Sequence, residues 1–271
     1  MLGKISHSSR IRHSKKKEAE LCDVAARISH QLKACEWRLR QLSESYNDLL
    51  NSRIKDGRFK DGERFANGYT ALSYLSVQSY LVDVCILRDY LSEFYWLMTY
   101  KGKDGGGSKR TTLGGLCKIW KKDSPSDKAG LELKASATEG GWLYELGAYR
   151  DLVVHSAPLA KADRTLYAVC QSLEMTQGQR LPAIKLPLPN DPSGIAGGRS
   201  SGSYFEDPEL NFARFSNALE NYESAKDALE YAHLTMQLMG ALANSMSKLS
   251  PVSPEIPVIT RDDIIGDVKF F

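Results

Sequence analysis

The sequence predicts a mainly α protein: a helical bundle of four to five helices with a small β or extended insertion. Three observations lead there. The first fifty residues carry nine apolar positions at helical spacing, and a second long segment is apolar on several sides. Between about residues 165 and 205 the helical spacing gives way to proline-rich, strand-like sequence.

The elements follow in chain order. Residues 1–16 read as a basic, flexible tail ahead of a helical domain spanning 17–249. The first helix runs from about Lys17 to Ile54, because Leu21, Ala25, Ile28, Leu32, Cys35, Leu39, Leu42, Tyr46 and Leu49 recur at steps of four and three. Such a stripe lies along one face and must pack against another helix, in the same chain or across a dimer. Asp56–Gly62 (DGRFKDG) breaks it. A second helix, roughly Gly68 to Tyr100, places Tyr69, Leu72, Leu75, Tyr80, Val84, Leu87, Leu91, Phe94 and Met98 around most of its circumference, which suits the centre of a bundle.

Lys101–Arg110 (KGKDGGGSKR) reads as a flexible basic loop. Its glycines do not make a phosphate-binding loop: no strand precedes it and no Gly-Lys-Ser/Thr ending follows. A short helix at about Thr112–Lys122 leads into a polar connection, DSPSDKAGLELKASATEGG. A further helix then carries Trp142, Leu143, Leu146, Tyr149 and Val153, and ends near Ala157 because Pro158 disfavours the α conformation before it. LYAVCQSLEMT and RLPAIKLPLP supply the one or two strands of the insertion at about 165–205. A last helix is expected from Asp207 to Leu249, with Asp207 and Pro208 as N-cap and first residue. Residues 250–271 form a C-terminal extension ending in Phe270-Phe271.

Composition narrows the function classes. A hydrophobic share of 42% and a charged share of 25% suit a chain with a real core. The five cysteines, Cys22, Cys35, Cys85, Cys117 and Cys170, are scattered without a Cys-x-x-Cys pair, so neither a disulfide framework nor a zinc site is expected. No metal or cofactor is expected. The N-terminus carries charge with no apolar stretch behind it, unlike a signal peptide. The most apolar region, Leu72–Met98, is interrupted by Asp83, Arg88, Asp89 and Glu93, so no membrane span is expected and the chain reads as cytoplasmic.

The net charge of +3 conceals two basic patches. Residues 1–17 contain six cations and no acid, and residues 101–122 contain seven against Asp104 alone. Such patches draw in phosphate-rich partners. Lys109, Arg110, Lys118, Lys121 and Lys122 are therefore candidate nucleic-acid contacts.

Of the five histidines, His7 and His13 lie in the basic tail, His30 lies off the apolar stripe, and His233 sits among core-type neighbours as a structural histidine. His155 differs, coming five residues after Arg150 in WLYELGAYRDLVVHSAP at the end of an amphipathic helix. On a regular helix five residues is a 140° offset, which a long arginine and a histidine in the last turn can bridge. A helix C-terminus favours imidazolium, poising His155 as acid or base. Arg150 presents a planar fork suited to phosphate oxygens, and Asp151 is placed to orient either group. Metal-free RNA cleavage needs a group that activates the 2′-hydroxyl, one that protonates the leaving oxygen, and a cation for the developing charge. One histidine cannot be both acid and base in a single step; a symmetric dimer supplies two.

Arg150-Asp151-Leu152-Val153-Val154-His155 resembles the R-x4-6-H motif of the HEPN superfamily, including the polar residue straight after the arginine. The resemblance implies an all-α fold and a metal-independent endoribonuclease. Its composite site would form across a homodimer, with Arg150 and His155 catalytic and Asp151 supporting. It also implies a toxin–antitoxin or antiviral defence setting, RNA as partner, and a separate antitoxin or regulatory chain. The proline-rich insertion lies outside a minimal domain of this kind. Three other readings stand beside it: a structural role in which Arg150 pairs with Glu145 or Asp151, a non-catalytic nucleic-acid- or nucleotide-binding module using the 101–122 patch, and a structural partner that docks through the first helix and Phe270-Phe271.

Overall fold

The computed structural model describes the backbone of residues 2–102, 108–156, 167–176, 178–190, 192–193 and 222–251, with side chains except those of residues 2–17, His155 and Ser156. The described elements are α1 (Leu2–Lys55), β1 (Arg64–Phe65), α2 (Gly68–Thr99), α3 (Leu113–Trp120), α4 (Lys128–Ala137) and α5 (Trp142–Asp151), which continues as a π-helical turn (Leu152–Ser156). There follow β2 (Ala168–Glu174), β3 (Arg180–Lys185), β4 (Pro187–Leu188), β5 (Lys226–Asp227) and α6 (Ala228–Ser247). The protein is mainly helical with a small antiparallel sheet insertion.

α1 and α2 form an antiparallel pair whose seam is both apolar and ionic. Val24, Cys35, Leu42 and Leu49 of α1 are fully buried. Beside them Arg27 holds both carboxylate oxygens of Glu93 at 3.1 Å, Gln31 Nε2 donates to the Asp83 carbonyl at 2.9 Å, and Arg38 Nε donates to the Asp83 carboxylate at 2.7 Å. The expected stripe holds with one change: Ala25 is exposed and Val24 is buried in its place. The helix also begins at Leu2 rather than near Lys17, so residues 2–16 continue its backbone.

α2 starts where a capping box places it: the Asn67 side chain accepts from Thr70 N, and Thr70 Oγ1 accepts from Asn67 N. It packs against α1, α3, α5 and α6, and fully burying each of its leucines contributes roughly 1.5–3 kcal/mol. By length and composition alone it is long and apolar enough to cross a membrane, and half of that apolar window is buried by the other helices. Its first turns depart from expectation, since Tyr69, Leu72 and Leu75 are exposed.

Three further expectations need correction. The connection after α3 contains a helix, α4, started by Asp127, whose side chain accepts from Gly130 N and from the Tyr95 hydroxyl. Gly130 is required there, because a Cβ would lie 2.0 Å from Tyr95 Oη. The last helix begins at Ala228, not Asp207: Lys226–Asp227 pair with Pro187–Leu188 as a strand, and Asp227 is the N-cap. The Asp207-Pro208 cap lies outside the described residues, as does Phe270-Phe271. His233 is exposed, because α6 buries Tyr231, Ala232, Thr235 and Met239 instead.

The insertion is a hairpin of β2 and β3, with Cys170 opposite Ile184, extended on one edge by β1. Buried tyrosines fasten the insertion to α2 and α5, and α6 to α2. Tyr74 Oη donates to the carbonyls of Tyr167 and Pro187, Tyr149 Oη to Pro189 and Tyr80 Oη to Ala232. Burial pushes all three hydroxyls well above the usual tyrosine range, so they stay protonated and serve as donors.

Candidate functional site

α5 carries the motif arginine. Its entry is tight, since a Cβ on Gly141 would lie 2.3 Å from the Ser136 carbonyl. The helix then buries Leu143, Leu146 and Tyr149 against the bundle. Arg150 is thereby left at the rim, with 39% of its side chain exposed, and Asp151 beside it at 53%. Arg150 Nη1 donates to Asp151 Oδ1 at 2.8 Å. Glu145, the other carboxylate expected to serve Arg150, pairs with Lys226 of β5 instead. After Asp151 the helix widens into the π turn, in which Gln78 of α2 donates to the Val153 carbonyl at 3.4 Å. Turns of this kind are frequent at functional sites. The backbone of residue 155 belongs to the turn; the His155 side chain lies outside the described residues.

A second Arg-Asp pair stands close by, on α2. Arg88 is mostly buried, with 14% of its side chain exposed, and its Nε and Nη2 both lie 3.1 Å from Asp89 Oδ1. The same oxygen accepts from Leu113 N, tying α2 to the first residue of α3. Gly147 of α5 makes room for Arg88, since a Cβ there would lie 3.2 Å from Nη1. Cys85 is within electrostatic reach of both pairs. Burial pushes its thiol up to about 11, while Arg88, Asp89, Arg150 and Asp151 each act on it electrostatically. It is therefore a protonated, inert thiol. Burial lowers the Arg88 pKa, but the neighbouring Cys85, Asp89 and Asp151 outweigh it and raise the value, so the guanidinium stays charged.

The candidate nucleic-acid residues fall into two groups. Lys118, Lys121 and Lys122 share one exposed face of α3 and its C-terminal turn. Lys109 and Arg110 lie at the other end. Lys109 Nζ is 2.6 Å from Glu93 Oε1, and the Arg110 stem packs where a Gly115 Cβ would stand, with its Nε buried and without a partner among the described residues. The Lys109 ion pair reaches a carboxylate with only 3% of its side chain exposed. Burial alone would push Glu93 up; hydrogen bonds from Arg27 and Lys109 outweigh it and hold the carboxyl below its usual range.

Sequence reasoning missed Arg88, Asp89, Arg27 and Glu93 as neighbours of these sites. The available signal was charge inside the most apolar segment: four ionised groups in α2 need partners, which Arg88 and Asp89 find in each other and Asp83 and Glu93 find outside the helix. Among the described residues no group of three or more His, Cys, Asp or Glu is placed to hold a metal ion. No known family model matches the chain, and no curated protein or solved structure matches it either.

Proposed function

We propose that the protein is a metal-independent endoribonuclease of the HEPN type, acting in the cytoplasm as a homodimer. Its bundle of four to five helices would comprise α1, α2, α5 and α6, with α3 or α4 as the fifth. The observation that carries the reading is the half-exposed position of Arg150 on the last α-helical turn of α5, followed directly by the π turn that contains residue 155; its pairing with Asp151 also fits the structural role. In this mechanism His155 takes the proton of the 2′-hydroxyl, which attacks the adjacent phosphorus. Arg150 donates to the equatorial oxygens as negative charge develops, and Asp151 fixes the guanidinium. The partner protomer's copy of the same histidine protonates the departing 5′-oxygen. The products are a 2′,3′-cyclic phosphate and a 5′-hydroxyl. A toxin–antitoxin or anti-phage role, with a separate regulatory chain, belongs to the same proposal. Purified protein incubated with RNA in chelator, beside Arg150→Ala and His155→Ala, tests it: both variants are expected to stay folded and lose cleavage, and cleavage retained in both overturns it.

A second reading, a non-catalytic RNA-binding module, is favoured by the exposed face of Lys118, Lys121 and Lys122. It predicts salt-sensitive binding without cleavage.

A further inference from the structure

An open cavity of about 480 Å3, not lined by Arg150 or Asp151, lies between α1, α2 and the segment leading to α3. One wall is apolar, formed by half-exposed Ile86 and the Tyr90 ring, with the Arg27 guanidinium 4.7 Å from the ring centroid. The floor is Glu93, gripped by Arg27 from α1 and by Lys109. Lys109 is 45% exposed, so its ammonium, which has three protons to donate, serves Glu93 and still faces the opening. On the far side lies Asp89. Its bonds from Arg88 and Leu113 N all fall on Oδ1, which among the described residues leaves Oδ2 to accept from a ligand.

A wall of Ile86 and the Tyr90 ring, one face of which carries the Arg27 guanidinium, together with an exposed cation and a carboxylate acceptor, is the complement of an aromatic base that carries an exocyclic amine and a phosphate. The volume lies within the usual range for small-ligand sites. We propose that this cavity binds one nucleotide unit, its base against Tyr90 and Ile86, its amine on Asp89 and its phosphate on Lys109. The unit comes either from single-stranded RNA or from a free nucleotide. Unlike the face of α3, this site recognises the base as well as the charge.

The test uses the full chain with two probes, AMP by calorimetry and a labelled decaadenylate by fluorescence anisotropy, each against Tyr90→Leu and Lys109→Gln. Removing one base–aromatic stack is expected to weaken binding by about tenfold or more. Lys109→Gln is expected to weaken it and to lower the log–log salt slope for the decamer by about 0.7. Saturable AMP binding identifies a free-nucleotide site; decamer binding without AMP binding identifies RNA. Lys109→Gln leaves Glu93 both of its bonds from Arg27, so this variant keeps the test valid if Tyr90→Leu disturbs folding. No binding of either probe, or equal binding by wild type and both variants, overturns the proposal. The outcome is separable from the nuclease reading: a protein that binds through Tyr90 but never cleaves leaves this site standing and removes the other.

Discussion

Asp227 joins three parts of the chain that are far apart in sequence, and replacing it with alanine should be one of the costliest single changes outside the core. Oδ1 accepts from Leu229 N and Glu230 N at 3.0 Å, capping α6. Oδ2 accepts from the Tyr46 hydroxyl of α1 and from Leu186 N, both at 2.9 Å. Loss of the cap costs about 0.5–2 kcal/mol. Each buried donor left without its acceptor adds about 1–3 kcal/mol. Tyr46 can recover part of this by turning its hydroxyl, so the expected total is about 3–5 kcal/mol, a large share of a typical domain's stability. Asp227→Asn keeps an acceptor for the α6 amides but turns an N–H toward Leu186 N, and should lose about 1–2 kcal/mol. The assay is urea unfolding at neutral pH, where the midpoint should fall at unchanged slope. A double-mutant cycle with Tyr46→Phe should show a coupling of about 1 kcal/mol. Burial raises the Asp227 pKa above its ordinary 3.8 despite these hydrogen bonds. Its titration therefore contributes stability below pH 3.8 that is lost as pH rises through the raised value. The asparagine variant should lack that slope. An Asp227→Ala loss under about 1 kcal/mol would mean that the carboxylate does not hold these four donors together.

The remaining predictions concern other junctions. Glu93 has the opposite sign to Asp227: its pKa is held below the ordinary 4.5, so its contribution is present above pH 4.5 and is lost as pH falls through the lower folded value. Glu93→Gln should flatten that part of an acid-unfolding profile, and an unchanged profile would contradict the ion-pair account. Gly130→Ala places a methyl against Tyr95 Oη and Pro125 Cβ, and should lower stability by about 1–3 kcal/mol in thermal melts; a neutral result would mean that α4 does not approach Tyr95 as described. Replacing Lys118, Lys121 and Lys122 by glutamine should lower the salt slope of single-stranded RNA binding by about 2. No change in slope would take the α3 face out of the binding surface.

The helix pair was legible because its signals are local and redundant. The α1 stripe marks a face and the Asp56–Gly62 break a boundary without help from the rest of the chain. α4 was not legible: it buries only Ala129, Gly130 and Leu133, and its start depends on a carboxylate shared with Tyr95 from another helix. The break before α6 was hidden for a similar reason. The helical spacing of apolar residues runs through Lys226–Asp227 with no glycine or proline there, and the strand exists only because Pro187–Leu188 lie alongside. Tyr69, Leu72 and Leu75 show the reverse, since apolar spacing on α2 extends beyond the neighbours that cover it. At the site, the Arg150–Asp151 pair follows from adjacency. The approach of Arg88 does not, because it depends on Gly147 leaving space on a helix some sixty residues away.

The most direct test of the central claim is incubation of the protein with RNA in chelator, beside His155→Ala, with the product ends mapped. A site built on Arg150 and His155 should give cleavage that withstands the chelator, leaves 2′,3′-cyclic phosphate and 5′-hydroxyl ends, and disappears in the variant. A folded dimer that leaves RNA intact, or cleavage that persists in His155→Ala, would contradict it.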